Sequence, residues 1–256
     1  LSAKALVKGM VAPKSIEMFR PSLKVERHRD GTLEVGFNTE SPASQEFTQL
    51  MFSVLLAEPD PTHPMRFLSR VNIFDADIQV YDQRLESTWS APNAQVQLWR
   101  TASGIKGDVT MDVLVGGTKA NVSVLGTYLA NEGRFDFGVD FNAVTPAAFA
   151  VFSPKLSMLA GMELPFQGTL TFSMLSDGSV ESFGFDVGAS KGALSIPIKT
   201  AQSMGLLSLA QRVEVAGVEF RGRYEGSNEK VEINSLNIDF GEDGKIYLPD
   251  PVKHEM

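Results

Sequence analysis

"GRFDFGVDF", residues 133–141, decides the fold. Phe135, Phe137, Val139 and Phe141 alternate with Asp136, Gly138 and Asp140. A period of two is that of a β-strand with one apolar and one polar face. At roughly 3.3 Å per residue the apolar stripe runs nearly 30 Å. Its function turns on what that stripe faces: other protein, or something greasy from outside.

The same alternation recurs along the chain. "DADIQVYD" (75–82) puts Ala76, Ile78 and Val80 on one side, and "AQVQLWR" (94–100) does so with Ala94, Val96 and Leu98. "GDVTMDVLV" (107–115) gives Val109, Met111, Val113 and Val115, and "ANVSVLGTY" (120–128) gives Val122 and Val124. "TLTFSML" (169–175) carries Leu170 and Phe172, and "SVESFGFDVG" (179–188) carries Phe183 and Phe185. "GALSIPI" (192–198), "VEFRGRY" (218–224), "VEINSLNIDF" (231–240) and "KIYL" (245–248) complete the set. Asp30-Gly31, Asp177-Gly178 and Asp243-Gly244 separate some of them, as turns with φ > 0 require. Strands so closely spaced predict an antiparallel meander and not βαβ units.

Helical patterns are few. Ser41 and Pro42 open "SPASQEFTQLMFSVLLAE" (41–58), where Phe47, Leu50, Met51, Val54 and Leu55 fall at helical spacing. "TPAAFAVF" (145–152), "SPKLSMLAGM" (153–162) and "TAQSMGLLSLAQR" (200–212) are three more, and the first 19 residues are a weaker candidate. The expected organisation is an N-terminal helix and hairpin region over 1–62 and one amphipathic sheet over 63–256.

Composition narrows the function. The 256 residues are 43% hydrophobic with a net charge of −8. No basic stripe suggests nucleic acid, and the acidic balance disfavours simple docking to anionic headgroups. With no cysteine there are no disulfides, thiolate metal sites or Cys nucleophile. No 18-residue apolar run predicts a membrane-crossing helix. "LSAKALVKGMVAPK" has no signal-peptide core, and the chain does not begin with Met, so it reads as a processed product or excised fragment, which leaves room for a lost N-terminal anchor.

Chemistry finds little support. His28, His63 and His254 lack a ligand partner at i+2 or i+4 and read as surface or terminal residues. "DFGEDGKIYLPD" (239–250) has Asp239, Asp243, Gly244 and Asp250 where a calcium loop wants them, but Gly241 offers no oxygen ligand and Asp250 replaces the bidentate Glu. It reads as a hairpin turn. Asp75 and Asp77 share a strand face and read as a solvated surface opposite an apolar one. Trp99, on the face of Gln95 and Gln97, is expected at an edge or rim of the sheet. Neither an enzyme nor a cofactor is expected.

About eleven strands with three or four apolar side chains each must cover them, because each is worth roughly 1.5–3 kcal/mol on burial. Four short helices are too few for a sheet of that length. A sandwich, a closed barrel, or a sheet curled into a lipid-filled groove remain. The 17 Phe and 10 Met favour the groove, since adaptable side chains suit acyl chains.

Two segments carry a family resemblance. "LSRVNIFDADIQVYDQRLESTW" resembles the strand-to-hairpin segment of AsmA-like proteins. The run from Phe135 to Pro197 resembles them more fully. An amphipathic strand enters a helix with Pro146, Ala147 and Phe149. A strand follows with Leu164-Pro165 and Gly168, then a hairpin from Asp177-Gly178 to Gly188. The resemblance spans about residues 65–248 and is most like the YhdP/TamB-type branch, while "PSLKVERHRDGTLEVGF" matches the family's early hairpin less well. It implies a mainly β protein: a long antiparallel curled sheet, groove-like or partly closed, with about four short helices. It implies a periplasmic, inner-membrane-anchored segment that takes part in phospholipid transport toward the outer membrane, similar to bridge-like lipid-transfer proteins. The expected lipid-contacting residues are Val80, Val96, Val109, Met111, Val113, Val122, Val124, Phe135, Phe137, Val139, Phe141, Leu170, Phe172, Phe183 and Phe185. An envelope scaffold acting through protein contacts on outer-membrane biogenesis is the alternative. A carbohydrate-processing β-sandwich enzyme would need paired carboxylates in a cleft, and no convincing pair is present.

Overall fold

The structure is a computed structural model that describes residues 1–7, 9–30, 32–37, 64–84, 86–115, 118–151, 154–195, 212–228 and 230–248. The expected helices at 41–58 and 200–212 lie, apart from Arg212, outside these residues, as do His63, His254 and Asp250. The described residues form sixteen strands, thirteen in one large sheet and three in a small one.

The large sheet contains β1 (Ser15–Phe19), β2 (Ser22–Arg27), β3 (Leu33–Phe37), β4 (Arg70–Asp82), β5 (Ser87–Arg100), β6 (Gly104–Val115), β7 (Thr118–Leu129) and β8 (Arg134–Val144). It continues with β10 (Phe166–Leu175), β11 (Val180–Ala189), β14 (Gly217–Glu225), β15 (Lys230–Asp239) and β16 (Lys245–Leu248). The small sheet is β9 (Met162–Glu163), β12 (Gly192–Leu194) and β13 (Val213–Val215). The order in the large sheet is β16-β15-β14-β11-β10-β8-β7-β6-β5-β4-β2-β3, with β1 also on β4. Among the described residues the two ends do not pair, so the sheet is not a closed barrel.

Almost every alternating segment is a strand within a few residues of its expected bounds. The sheet is mixed, however, and not purely antiparallel. β1 and β2 lie end to end along one edge of β4 and both run parallel to it. A parallel neighbour needs a long connection, and the chain between β3 and β4 is long enough to supply it. The two Pro-led segments after β8 are 3₁₀ helices, Pro146–Val151 and Pro154–Gly161. Among the described residues, the first 19 hold one helical turn, α1 (Ala3–Leu6), before β1 begins.

The chain divides into two compact units, residues 1–113 with 123–137, and residues 114–122 with 138–256. In the first, β4 alternates inward at Val71 and Ile73, then shifts by one to Ala76, Ile78 and Val80. Asp75 is the inserted residue (φ 54), and Asn93 (φ 58) is inserted in β5 one step later. The two bulges offset each other, so the pairs Ile73–Val96, Ala76–Ala94 and Ile78–Ala91 stay on one face. Arg20 (φ 52), between β1 and β2, follows the bend by donating its N–H to Phe74 O at 2.8 Å.

In the second unit the small sheet covers one end of the large one. Leu164 and Val215 are fully buried against Ala189, with Phe166, Val218 and Ile238 around them.

Candidate functional site

Strand register shows which side chains share a face. In the second unit Leu170 pairs with Phe185 and Phe172 with Phe183. Phe183 pairs in turn with Tyr224, Phe185 with Gly222, and Val187 with Phe220. The row continues through Phe220–Leu236 and Tyr224–Val231. Directly opposed residues point the same way, so all of these lie on one apolar face.

The other face is polar and tied across its strands. Thr169 Oγ1 donates to Asp140 Oδ1 at 2.6 Å, joining β8 to β10. Arg221 pairs with Asp186 at 2.9 Å, Arg223 with Glu232 at 2.9 Å and Lys245 with Asp239 at 2.7 Å. These bonds set the orientation of the alternation, since a one-residue slip would put charges among the aromatics.

The apolar face carries a chain of rings. Phe172 and Phe183 have centroids 4.8 Å apart, Phe183 and Phe185 5.7 Å, and Phe185 and Phe220 4.6 Å. A Cβ on Gly222 would come within 2.5 Å of Phe185 Cζ, so the ring lies directly over the glycine. The first unit repeats this arrangement. Tyr128 stacks on Phe135 at 4.5 Å, Phe135 and Phe137 follow at 6.1 Å, and Phe137 lies over Gly126. Gly107 lies beneath Leu98 in the same way, which puts Val109, Met111 and Val113 on the face of Leu98 and Val96. Rings lying flat on glycine cover backbone and leave a broad apolar surface.

That surface is only half covered. Of the fifteen residues singled out from the sequence, Val113 alone is buried; the other fourteen are intermediate. In the second unit burial falls along the strands. Ala189 is buried beside the small sheet, Phe185 and Phe183 are intermediate, and Val231 at the other end is 62% exposed. Burying a large apolar side chain is worth roughly 1.5–3 kcal/mol, so partial exposure leaves some of that gain unrealised at the fourteen intermediate positions. Tyr128, Phe220 and Tyr224 extend the rows and were not among the residues singled out. Their signal was present, because each continues the alternation of a segment already read as a strand.

Other candidates resolve as structural. Asp239 accepts from Lys245 Nζ and from Gly241 N–H, closing the β15–β16 hairpin through a 3₁₀ turn at Gly241–Asp243. Lys245 first and then that backbone donor hold its carboxyl below the usual range. Asp75 accepts from Gln95 Nε2 at 2.8 Å in its bulge. His28 faces Glu34 at 3.3 Å. Trp99 pairs with Arg70 on the face of Gln97 and Asn72, as expected, but β5 is an interior strand, so Trp99 marks a strand end and not a sheet edge. No helix among the described residues is long and apolar enough to cross a membrane. Comparison of the chain with protein-family models, curated proteins and solved structures finds no match.

Proposed function

We propose that this chain is a non-enzymatic lipid-binding segment of an AsmA-like protein. Acyl chains lie along the apolar sheet face, with headgroups at its open side, and the segment takes part in phospholipid transport between inner and outer membrane. The observation that carries the reading is the half-covered aromatic face, Phe135 and Phe137 in one unit and Phe172, Phe183, Phe185 and Phe220 in the other. An ordinary core would bury these rings. A surface for water would not concentrate them. Non-directional contact with flexible chains suits such a face, which is mostly phenylalanine and aliphatic and has ion pairs on its back.

The AsmA-like resemblance supports the architecture of the reading. Its motif residues have structural jobs: Leu164 is fully buried, Gly168 has φ 157 with a Cβ position 2.2 Å from Asp186 O, and Gly178 turns a hairpin at φ 88. The periplasmic location and the inner-membrane anchoring belong to the same proposal.

The experiment is photocrosslinking in cells with a photoreactive residue in place of Phe137, combined with native mass spectrometry of the gently purified protein. Phospholipid adducts and co-purified lipid are expected. Protein adducts alone, with a delipidated protein that never rebinds phospholipid, would overturn the reading in favour of an envelope scaffold. One feature favours that second reading: β16 pairs only with β15 among the described residues, and it exposes Ile246 and Tyr247. An open edge accepts a partner strand.

A further inference from the structure

We propose that residues 1–7 and 9–14 form a membrane-surface contact whose aliphatic tip enters the headgroup region of a bilayer containing anionic lipid. The segment is a closed loop with a fixed base. Ser2 N–H donates to Ala12 O at 3.0 Å, and Met10 N–H to Ala5 O at 3.0 Å. Ser2 Oγ accepts from Ala5 N–H at 3.4 Å, capping α1. Ala5 and Ala12 are fully buried and pin the loop to the body of the protein.

The tip faces outward. Leu6 is 53% exposed, Val7 89% and Val11 74%. Single exposed aliphatic residues are ordinary, but three within six residues on a loop whose base is pinned form a patch. A pinned loop also loses little conformational freedom on insertion.

Local charge identifies the partner. The whole chain has a net charge of −8, yet residues 1–14 contain Lys4, Lys8 and Lys14 and no Asp or Glu. Lys4 and Lys14 are exposed. Protein interfaces are depleted in Lys and enriched in aromatic residues, whereas this segment has three lysines and no aromatic. Aliphatic residues bordered by lysines match an interface of acyl chains under anionic headgroups. The overall acidity does not oppose this, because surface potentials act within about a Debye length, roughly 8 Å at physiological salt. The contact is independent of the apolar sheet face: it would bring the protein to a bilayer whether or not that face holds lipid.

Vesicle flotation of the full chain tests it, with phosphatidylcholine vesicles and vesicles containing phosphatidylglycerol. Wild-type protein is expected to float with the anionic vesicles, less at high salt, and weakly with phosphatidylcholine alone. L6S/V7S/V11S and K4Q/K14Q should each weaken flotation roughly tenfold. K106Q/K191Q, which removes two exposed lysines outside the loop and away from the aromatic face, should float like wild type. Absence of wild-type flotation, flotation unchanged in either loop variant, or an equal loss in K106Q/K191Q would overturn the proposal. If circular dichroism shows the serine variant misfolded, the lysine variant decides alone.

Discussion

Phe185 lies flat on the sheet only because residue 222 has no side chain. The ring and Glu232 O both approach within 2.6 Å of where a Cβ would stand. Gly222→Ala is therefore expected to lower stability by about 1–3 kcal/mol through overpacking, read as a fall in the urea midpoint. Turn carboxylates act at the same scale. Asp30 accepts from the Thr32 hydroxyl and N–H, and Asp177 from the Ser179 hydroxyl and N–H. Those hydroxyls first, then the backbone donors, hold both carboxyls below the usual range. A lowered folded-state pKa contributes stability that is full above the unfolded value, about 3.9, and is lost as pH falls through the folded one. The melting temperature should fall between pH 5 and pH 2, and D30N/D177N should fall less over that window. An identical acid profile in the two proteins would remove these turns from the account.

At the scale of elements, most of the fold was legible because a half-covered strand writes its period directly into sequence. β10, β11, β14, β15 and β16 each alternate, and short turns account for the β10–β11, β14–β15 and β15–β16 pairs, while β11 and β14 pair across residues 190–216. The parallel placement of β1 and β2 was not legible, since a long connection carries no sign of direction. The paired bulges of β4 and β5 were partly legible. Inward residues change from odd to even between Ile73 and Ala76, which is the trace of one inserted residue. What the period does not reveal is that Asp75 and Asn93 absorb the bend with positive φ, a conformation that Asp and Asn tolerate and β-branched residues do not. Asp75→Val should cost about 1–2 kcal/mol in chemical denaturation, while Asp75→Gly should stay near neutral. Equal costs for the two would mean that the Gln95 hydrogen bond matters and the backbone does not. The aromatic face was legible as a stripe. Its seating on Gly126 and Gly222 was not, because a glycine in a strand gives no hint of which ring will cover it.

At the scale of the whole molecule, the half-covered face sets an expectation for stability as well as for binding. A ligand that binds the folded chain and not the unfolded one stabilises it by mass action, about 2.7 kcal/mol at a free concentration of 100 Kd. Chains of this size shift their melting temperature by roughly 2–4 °C per kcal/mol. Phospholipid supplied in mixed micelles should then raise the melting temperature of delipidated protein by about 5–10 °C, against the same micelles without phospholipid. F137D or F183D should abolish the shift without unfolding the protein, because a carboxylate at a partly exposed position keeps contact with water. The same substitutions in a dry core would bury an unpaired charge and prevent folding. The two accounts of the aromatic rows thus diverge on one pair of measurements. A folded F137D protein that has lost the lipid-dependent shift is the outcome of a binding face. An unfolded F137D protein, together with a wild-type melting temperature indifferent to lipid, is the outcome of a core.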